Sequence, residues 1–180
     1  FIQRTTESEI DIYLNTFVRV NKDVEKAFGI ERRKLLQEIK TEISKNEVLE
    51  IEKVSLVYTS LDKEFINTEI EIKDYSLEKI KELTNETYDN LFMESVKKWE
   101  EFWKKSEIKI ESKNDFDNLA VNFSLYHLLI MTPFHDNRFN IGAKGLTGEG
   151  YKGHVFWDTE IFLLPFFLYT NPKVAKQLLE

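Results

Sequence analysis

The residues richest in chemistry crowd into one short stretch, residues 135–160. Five of the six glycines (Gly142, Gly145, Gly148, Gly150 and Gly153) fall within twelve residues and lead into Phe156-Trp157-Asp158-Thr159-Glu160. Glycine lets a backbone take positive φ and come close to other groups. A glycine-dense loop ending in Trp-Asp, just before an apolar run at 161–169, has the make-up of a wall around a buried polar site. A carboxylate beside an indole suits a sugar ring. It accepts charge-assisted hydrogen bonds from adjacent hydroxyls, while the indole covers the ring's C–H face. The same residues also have a plain structural use. Asp158 can cap the helix that follows, with Glu160 favoured by the dipole in its first turn and Trp157 as packing. Residue types alone leave both readings open.

Other chemistries fit the stretch less well. The three histidines are His127, His135 and His154, and the last two lie nineteen residues apart across the glycine loop. No HExxH or paired-cysteine spacing exists, so no metal site is expected. Lys144 within GAKGLTGEG suggests a phosphate cradle, but the string is neither GxxxxGK(S/T) nor GxGxxG after a strand. His127 falls on an apolar helical stripe, where a neutral core histidine bonded to backbone is the expected role.

The supporting elements follow from composition and periodicity. The chain has 180 residues, 42% hydrophobic and 13% aromatic, which excludes disorder and permits one domain or two small ones. A net charge of −7 argues against nucleic acid or an anionic membrane as partner. The absence of cysteine excludes a disulfide framework and a thiolate metal site. The apolar run at 161–169 is too short to span a bilayer. No signal peptide opens the chain, and a cytoplasmic location is expected. The chain starts at Phe1 and stops at Glu180 inside a helix-like pattern, so it reads as a fragment.

Alternation with a period of two predicts a strand over 10–20, and a polar stretch with Gly29 predicts a loop over 21–29. Residues 33–43 fit a helical stripe or one face of a strand. A strand is preferred, paired as a hairpin with a Val- and Ile-rich strand at 48–59. A short strand at 66–72 and a helix capped by Ser76 and ending near Leu83 are expected next. A longer helix then runs from Thr84 or Asn85 to about Lys105. Its stripe of Tyr88, Leu91, Phe92, Val96, Trp99, Phe102 and Trp103 is read as core. Asn114 or Asp115 caps a further helix that buries Phe116, Leu119, Ala120, Phe123, His127 and Ile130, and ends near Thr132-Pro133. Pro165 predicts a kink, and the apolar faces all round 161–169 predict burial. Strands followed by helices make the fold class α+β.

The run HDNRFNIGAKGLTGEGYKGHVFWDTEIFLLPFFLYTNPKVAKQLL resembles glycoside hydrolase family 65, the maltose, trehalose and kojibiose phosphorylases and their hydrolase relatives. The similarity is dense over 116–180 and looser but collinear upstream, through VSLVYTSLD and ESVKKWEEFWKKSEI. The resemblance implies the last strands of an N-terminal β-sandwich (1–60), a helical linker (61–112) and the first helices of an (α/α)6 barrel (113–180). It implies inverting phosphorolysis of an α-linked glucose disaccharide, with inorganic phosphate as co-substrate and no other cofactor. The full-length parent would be a homodimer. The family's general acid is a glutamate farther downstream, so no catalytic residue is expected in this chain, and Glu149 and Glu160 are not substitutes. Trp157 and Asp158 match the family's site for the non-reducing-end glucose, with Lys144, Arg138 and His154 as outlying candidates. Two alternatives stay open: an inverting trehalase-like hydrolase, and a non-catalytic sugar-binding protein. The fragment alone is expected to be inactive and poorly soluble.

Overall fold

Antiparallel strands open the chain and helices close it in the computed structural model, which describes residues 1–32, 34–145, 148 and 150–180. Two units form, Phe1–Met93 and Glu94–Glu180. In the first, β1 (Ile2–Arg4), β2 (Asp11–Val20) and β5 (Ile51–Thr59) make a three-stranded sheet with β2 at the centre. Burial alternates along β5, where Glu52, Val54, Leu56 and Tyr58 turn inward and Ile51, Lys53, Ser55 and Val57 turn outward, whereas β2, predicted from alternation, is half-buried on both faces. Helix α1 (Ile72–Leu83) packs on β2 and β5. Tyr58, Phe65 and Tyr75 meet edge to face there at 5.4–5.5 Å, beside buried Ile80.

Strand pairing departs from the expected hairpin. Residues 34–40 form a strand as preferred (β4, Lys34–Lys40), while its predicted first residue, Arg33, lies outside the described residues. The partner of β4 is β3 (Glu25–Glu31), inside the stretch expected to be loop, and β5 pairs with β2 instead. The β3–β4 ribbon is exposed on both faces, with Phe28 and Ile30 open to solvent. A strand held by backbone pairing alone needs no apolar alternation, so periodicity could not reveal it. The short strand expected at 66–72 is instead turn and coil that runs into the first residue of α1. Ser76 lies inside α1 and not at its start, and its buried hydroxyl donates back to the Lys73 carbonyl at 2.9 Å. Arg19 fastens the end of the sheet. It lies 2.7 Å from Glu52, its cross-strand partner, and donates to the carbonyls of Thr84 and Glu86 beyond α1.

Helix α2 (Tyr88–Ser106) carries the boundary between the units. In the second unit, Trp99 stacks on Tyr126 at 4.9 Å and Phe102 meets Phe134 at 4.9 Å, the core role expected of this end of the aromatic stripe, whereas Tyr88 and Phe92 at its start are exposed. Helix α3 (Asp115–Ile130) starts under the predicted cap, Asn114, whose side chain accepts from the Phe116 N–H. A helical turn begins at Trp157 and runs through a π-helical segment (Thr159–Leu163) into α4 (Leu164–Thr170). Pro165 accounts for that widening. It has no N–H for the Ile161 carbonyl four residues back, and the Leu164 N–H reaches Thr159, five residues back. Helix α5 (Pro172–Leu179) then buries Val174, Ala175 and Leu178 against Ile141 and Phe167.

Two burial expectations fail for one reason. The α3 residues Phe116, Leu119, Phe123 and Ile130 are exposed, and the buried ones are Leu125 and Leu129. Likewise Phe167 is 1% exposed while Ile161, Phe162 and Leu168 are open and Tyr169 is 91% exposed. Both segments are apolar on more than one face, so sequence periodicity could not choose the packed side. Replacing Phe167 removes the largest side chain of the buried cluster. Phe167→Ala is expected to destabilise the second unit by roughly 3–5 kcal/mol, measured by denaturant unfolding against wild type.

Candidate functional site

A groove of about 550 Å³ opens in the second unit, with walls from three parts of the chain. Helix α3 contributes Phe123, His127 and Ile130, spaced i, i+4 and i+7 on one face. Residues 142–145 supply backbone and the Lys144 side chain, and the turn at 158–163 supplies Asp158, Thr159, Phe162 and Leu163.

The turn and the loop are locked together at the base. Thr159 is 2% exposed and its hydroxyl donates to the Ile141 carbonyl at 3.0 Å. Next to it, the Ala143 N–H donates to the His154 carbonyl at 3.1 Å, so the two arms of the glycine loop pair. A Cβ on Gly142 would stand 3.0 Å from the Gly153 carbonyl oxygen, so any larger residue would have to push the Gly153 backbone aside. The return is made by Tyr151, Lys152 and Gly153 at φ of 59°, 52° and 76°, a left-handed turn that is costly for the two non-glycine residues. Gly145 also has positive φ, 54°, and sits against Met131.

Asp158 is half-buried in the groove wall. Its φ and ψ are −63° and −31°, already helical, and its side chain makes no cap bond. The capping reading of Asp158 therefore does not hold, because a cap needs the extended backbone that Asn114 has at α3. Among the described residues the Asp158 carboxylate has no hydrogen-bond donor from the protein. Trp157, 62% exposed, does not line the groove; it packs on Phe162, which does, at 5.7 Å between ring centres. The aromatic surface inside is thus Phe123 and Phe162, which sequence reasoning placed in the core.

The outlying candidates separate. Lys144 reaches the groove, with Nζ 5.9 Å from the centre of the Tyr151 ring. Arg138 is held outside it by Asp136, 2% exposed, whose two oxygens accept from Nε at 3.0 Å. Gln177 of α5 donates to the Asp136 carbonyl, so this pair braces the chain before the loop. His154 is exposed, and among the described residues its bonds are made by its backbone. Glu149 lies outside the described residues. Among the described residues no group of three or more His, Cys, Asp or Glu is placed to hold a metal. No helix among them is long and apolar enough to cross a membrane.

Family models match both parts of the chain. Residues 1–102 match the glycosyl hydrolase family 65 N-terminal domain, and residues 122–180 match the family 65 central catalytic domain. The chain belongs to glycosyl hydrolase family 65. Among family 65 proteins, the kojibiose phosphorylase of Halothermothrix orenii is 49% identical over 83% of this chain and 19% of its own length. The Escherichia coli kojibiose phosphorylase is 38% identical over 97% of this chain and 23% of its own length. A solved structure assigned to a kojibiose phosphorylase from the human microbiome superposes with a TM-score of 0.76 at 29% identity, over 97% of this chain and 22% of that one. The chain thus spans about a fifth of the length of the relatives it matches.

Two perturbations test the base of the groove. Thr159→Val keeps the side-chain shape and leaves the buried Ile141 carbonyl without its donor, an expected loss of roughly 1–3 kcal/mol by thermal unfolding. Gly145→Ala forces a Cβ to 2.7 Å from the Met131 sulfur at positive φ, whereas a Cβ on Gly148 meets nothing within 4 Å among the described residues. Gly145→Ala should therefore cost about 1–3 kcal/mol. Gly148→Ala should stay within about 0.5 kcal/mol of wild type in the same melts.

Proposed function

We propose that this chain is part of an inverting α-glucoside phosphorylase, and that its groove holds the non-reducing-end glucose of an α-linked disaccharide. The observation that carries the reading is Asp158: a half-buried carboxylate in a partly aromatic groove, with no hydrogen-bond donor from the described protein. Water reaches the carboxylate in the open groove, and the adjacent hydroxyls of a glucosyl ring can take that water's place with charge-assisted bonds. Phe123 and Phe162 offer apolar surface for the ring's C–H face, and Trp157 backs Phe162.

The names of the relatives support the same class. They include kojibiose phosphorylases, a nigerose phosphorylase from Lachnoclostridium phytofermentans and an α,α-trehalose phosphorylase from Geobacillus stearothermophilus. In this reading residues 1–60 end the N-terminal β-sandwich, 61–112 form the linker and 113–180 begin the (α/α)6 barrel. Inorganic phosphate attacks the anomeric carbon from the face opposite the leaving sugar. The anomeric C–O bond breaks as the new C–O–P bond forms, and a carboxylic acid protonates the leaving oxygen. Phosphate is itself the nucleophile, so no second carboxylate need activate a water. The acid is a glutamate outside these 180 residues, and β-glucose 1-phosphate is the product.

The experiment uses the full-length protein that carries this chain, wild type beside Asp158→Ala, with kojibiose, nigerose, trehalose and maltose, each with and without phosphate. Wild type should release glucose 1-phosphate only when phosphate is present. Asp158→Ala should lose roughly 2–4 kcal/mol of transition-state binding, about thirty- to a thousandfold in kcat/KM. Free glucose without phosphate would make the protein a hydrolase. Equal activity in the variant would remove Asp158 from the sugar site.

A further inference from the structure

One polar side chain in the groove has no part in the reading above. His127 stands on α3 between Phe123 and Ile130, on the face that lines the groove. Sequence periodicity makes it a core histidine bonded to backbone, and the structure gives it a different setting. It is half-buried, its ring lies 4.3 Å from the Phe123 ring and edge-on to Tyr126 at 5.4 Å. Among the described residues neither ring nitrogen has a hydrogen-bond partner. The packed side of α3, with Leu125 and Leu129, faces elsewhere.

A neutral imidazole carries one donor and one acceptor, and at half-buried His127 both are left to whatever fills the groove, water or a ligand. Here two aromatic rings fix its plane, and the space it faces is the groove that Asp158 also faces. A carboxylate only accepts, so Asp158 can hold hydroxyls only by their protons. An imidazole can donate to a hydroxyl oxygen or accept its proton, which complements the carboxylate on the opposite side of a polyol. We propose that His127 is a second hydroxyl-binding side chain of this groove, taking one hydroxyl of the same glucosyl unit that Asp158 holds. The assignment rests on the groove being the sugar site.

The test compares full-length wild type, His127→Phe, His127→Gln and Asp158→Ala. Each is assayed for phosphorolysis of its best disaccharide and of analogues deoxygenated singly at positions 2, 3, 4 and 6 of the non-reducing ring. Phenylalanine keeps the aromatic packing on Phe123 and removes both nitrogens. His127→Phe should lower kcat/KM for the parent sugar by about ten- to a hundredfold, since a polar contact is lost. It should also abolish the wild-type penalty for one deoxy analogue and leave the other three penalties intact. His127→Gln, whose amide reaches toward the Nε2 position, should recover at least part of that loss. A merely structural histidine would lower all five substrates alike, and that pattern overturns the proposal. Loss of activity in Asp158→Ala with His127→Phe unchanged overturns the His127 assignment alone. If both variants match an active wild type, the groove is not the sugar site and both readings fall. Should His127→Phe fail to fold, His127→Gln carries the same comparison, because its altered discrimination must fall at a single position.

Discussion

A single buried hydrogen bond, from the Thr159 hydroxyl to the Ile141 carbonyl, sets the geometry on which the groove depends. Ile141 sits in the buried cluster with Phe167, Val174, Ala175 and Leu178, so the bond ties the mouth of the glycine loop to the densest packing in the second unit. At its other end it holds the first turn of the helix that carries Asp158. Both partners are removed from water, so an unpaired carbonyl there would bear its full desolvation cost. The glycine loop adds a second constraint. Its two arms come within the reach of a missing Cβ at Gly142, and a left-handed turn at 151–153 sends the chain back. Together these fix the backbone that faces Asp158.

Helix α3 shows how a doubly apolar helix divides its labour. One face, with Leu125 and Leu129, is packed, with partly buried Leu128 beside the α4–α5 cluster. The other, with Phe123, His127 and Ile130, is the groove wall. An apolar wall lowers the local dielectric around Asp158 and strengthens any charge-assisted bond made there. The π-helical segment serves the same site from the other side. Pro165 disrupts the ladder, the turn at 159–163 widens, and Asp158 and Phe162 both reach the groove.

The first unit is organised by a different rule. Its sheet is capped by the edge-to-face trio Tyr58, Phe65 and Tyr75, and its end is fastened where Arg19 meets Glu52 and two carbonyls beyond α1. Those two carbonyls lie at the end of α1 and the approach to α2, so one guanidinium orders the passage from sheet to helices. Arginine suits the task because its planar fork presents several donors at fixed angles.

Much of this was legible in the residues themselves. Alternation at 10–20 and Val- and Ile-rich composition at 48–59 marked two strands, Asn114 marked a helix start, and the string from Gly145 to Glu160 marked both the family and the Trp-Asp pair. These features are local: they depend on side-chain period, a cap or a contiguous motif, all of which survive without knowledge of neighbours. What the chain could not declare by itself was partnership. Phe28, Ile30 and Leu35 share one face of the β3–β4 ribbon yet stand open to solvent, so only the pairing of the two segments reveals it. Phe123, His127 and Phe162 look like core in a pattern that counts apolar residues, because a groove wall and a buried face have the same composition. Asp158 could have been a cap or a ligand group until its backbone proved helical and its carboxylate proved unpaired within the described chain. The tertiary structure decided these points because which of two apolar faces is packed depends on what lies across from it, and that is set by contacts between residues distant in sequence.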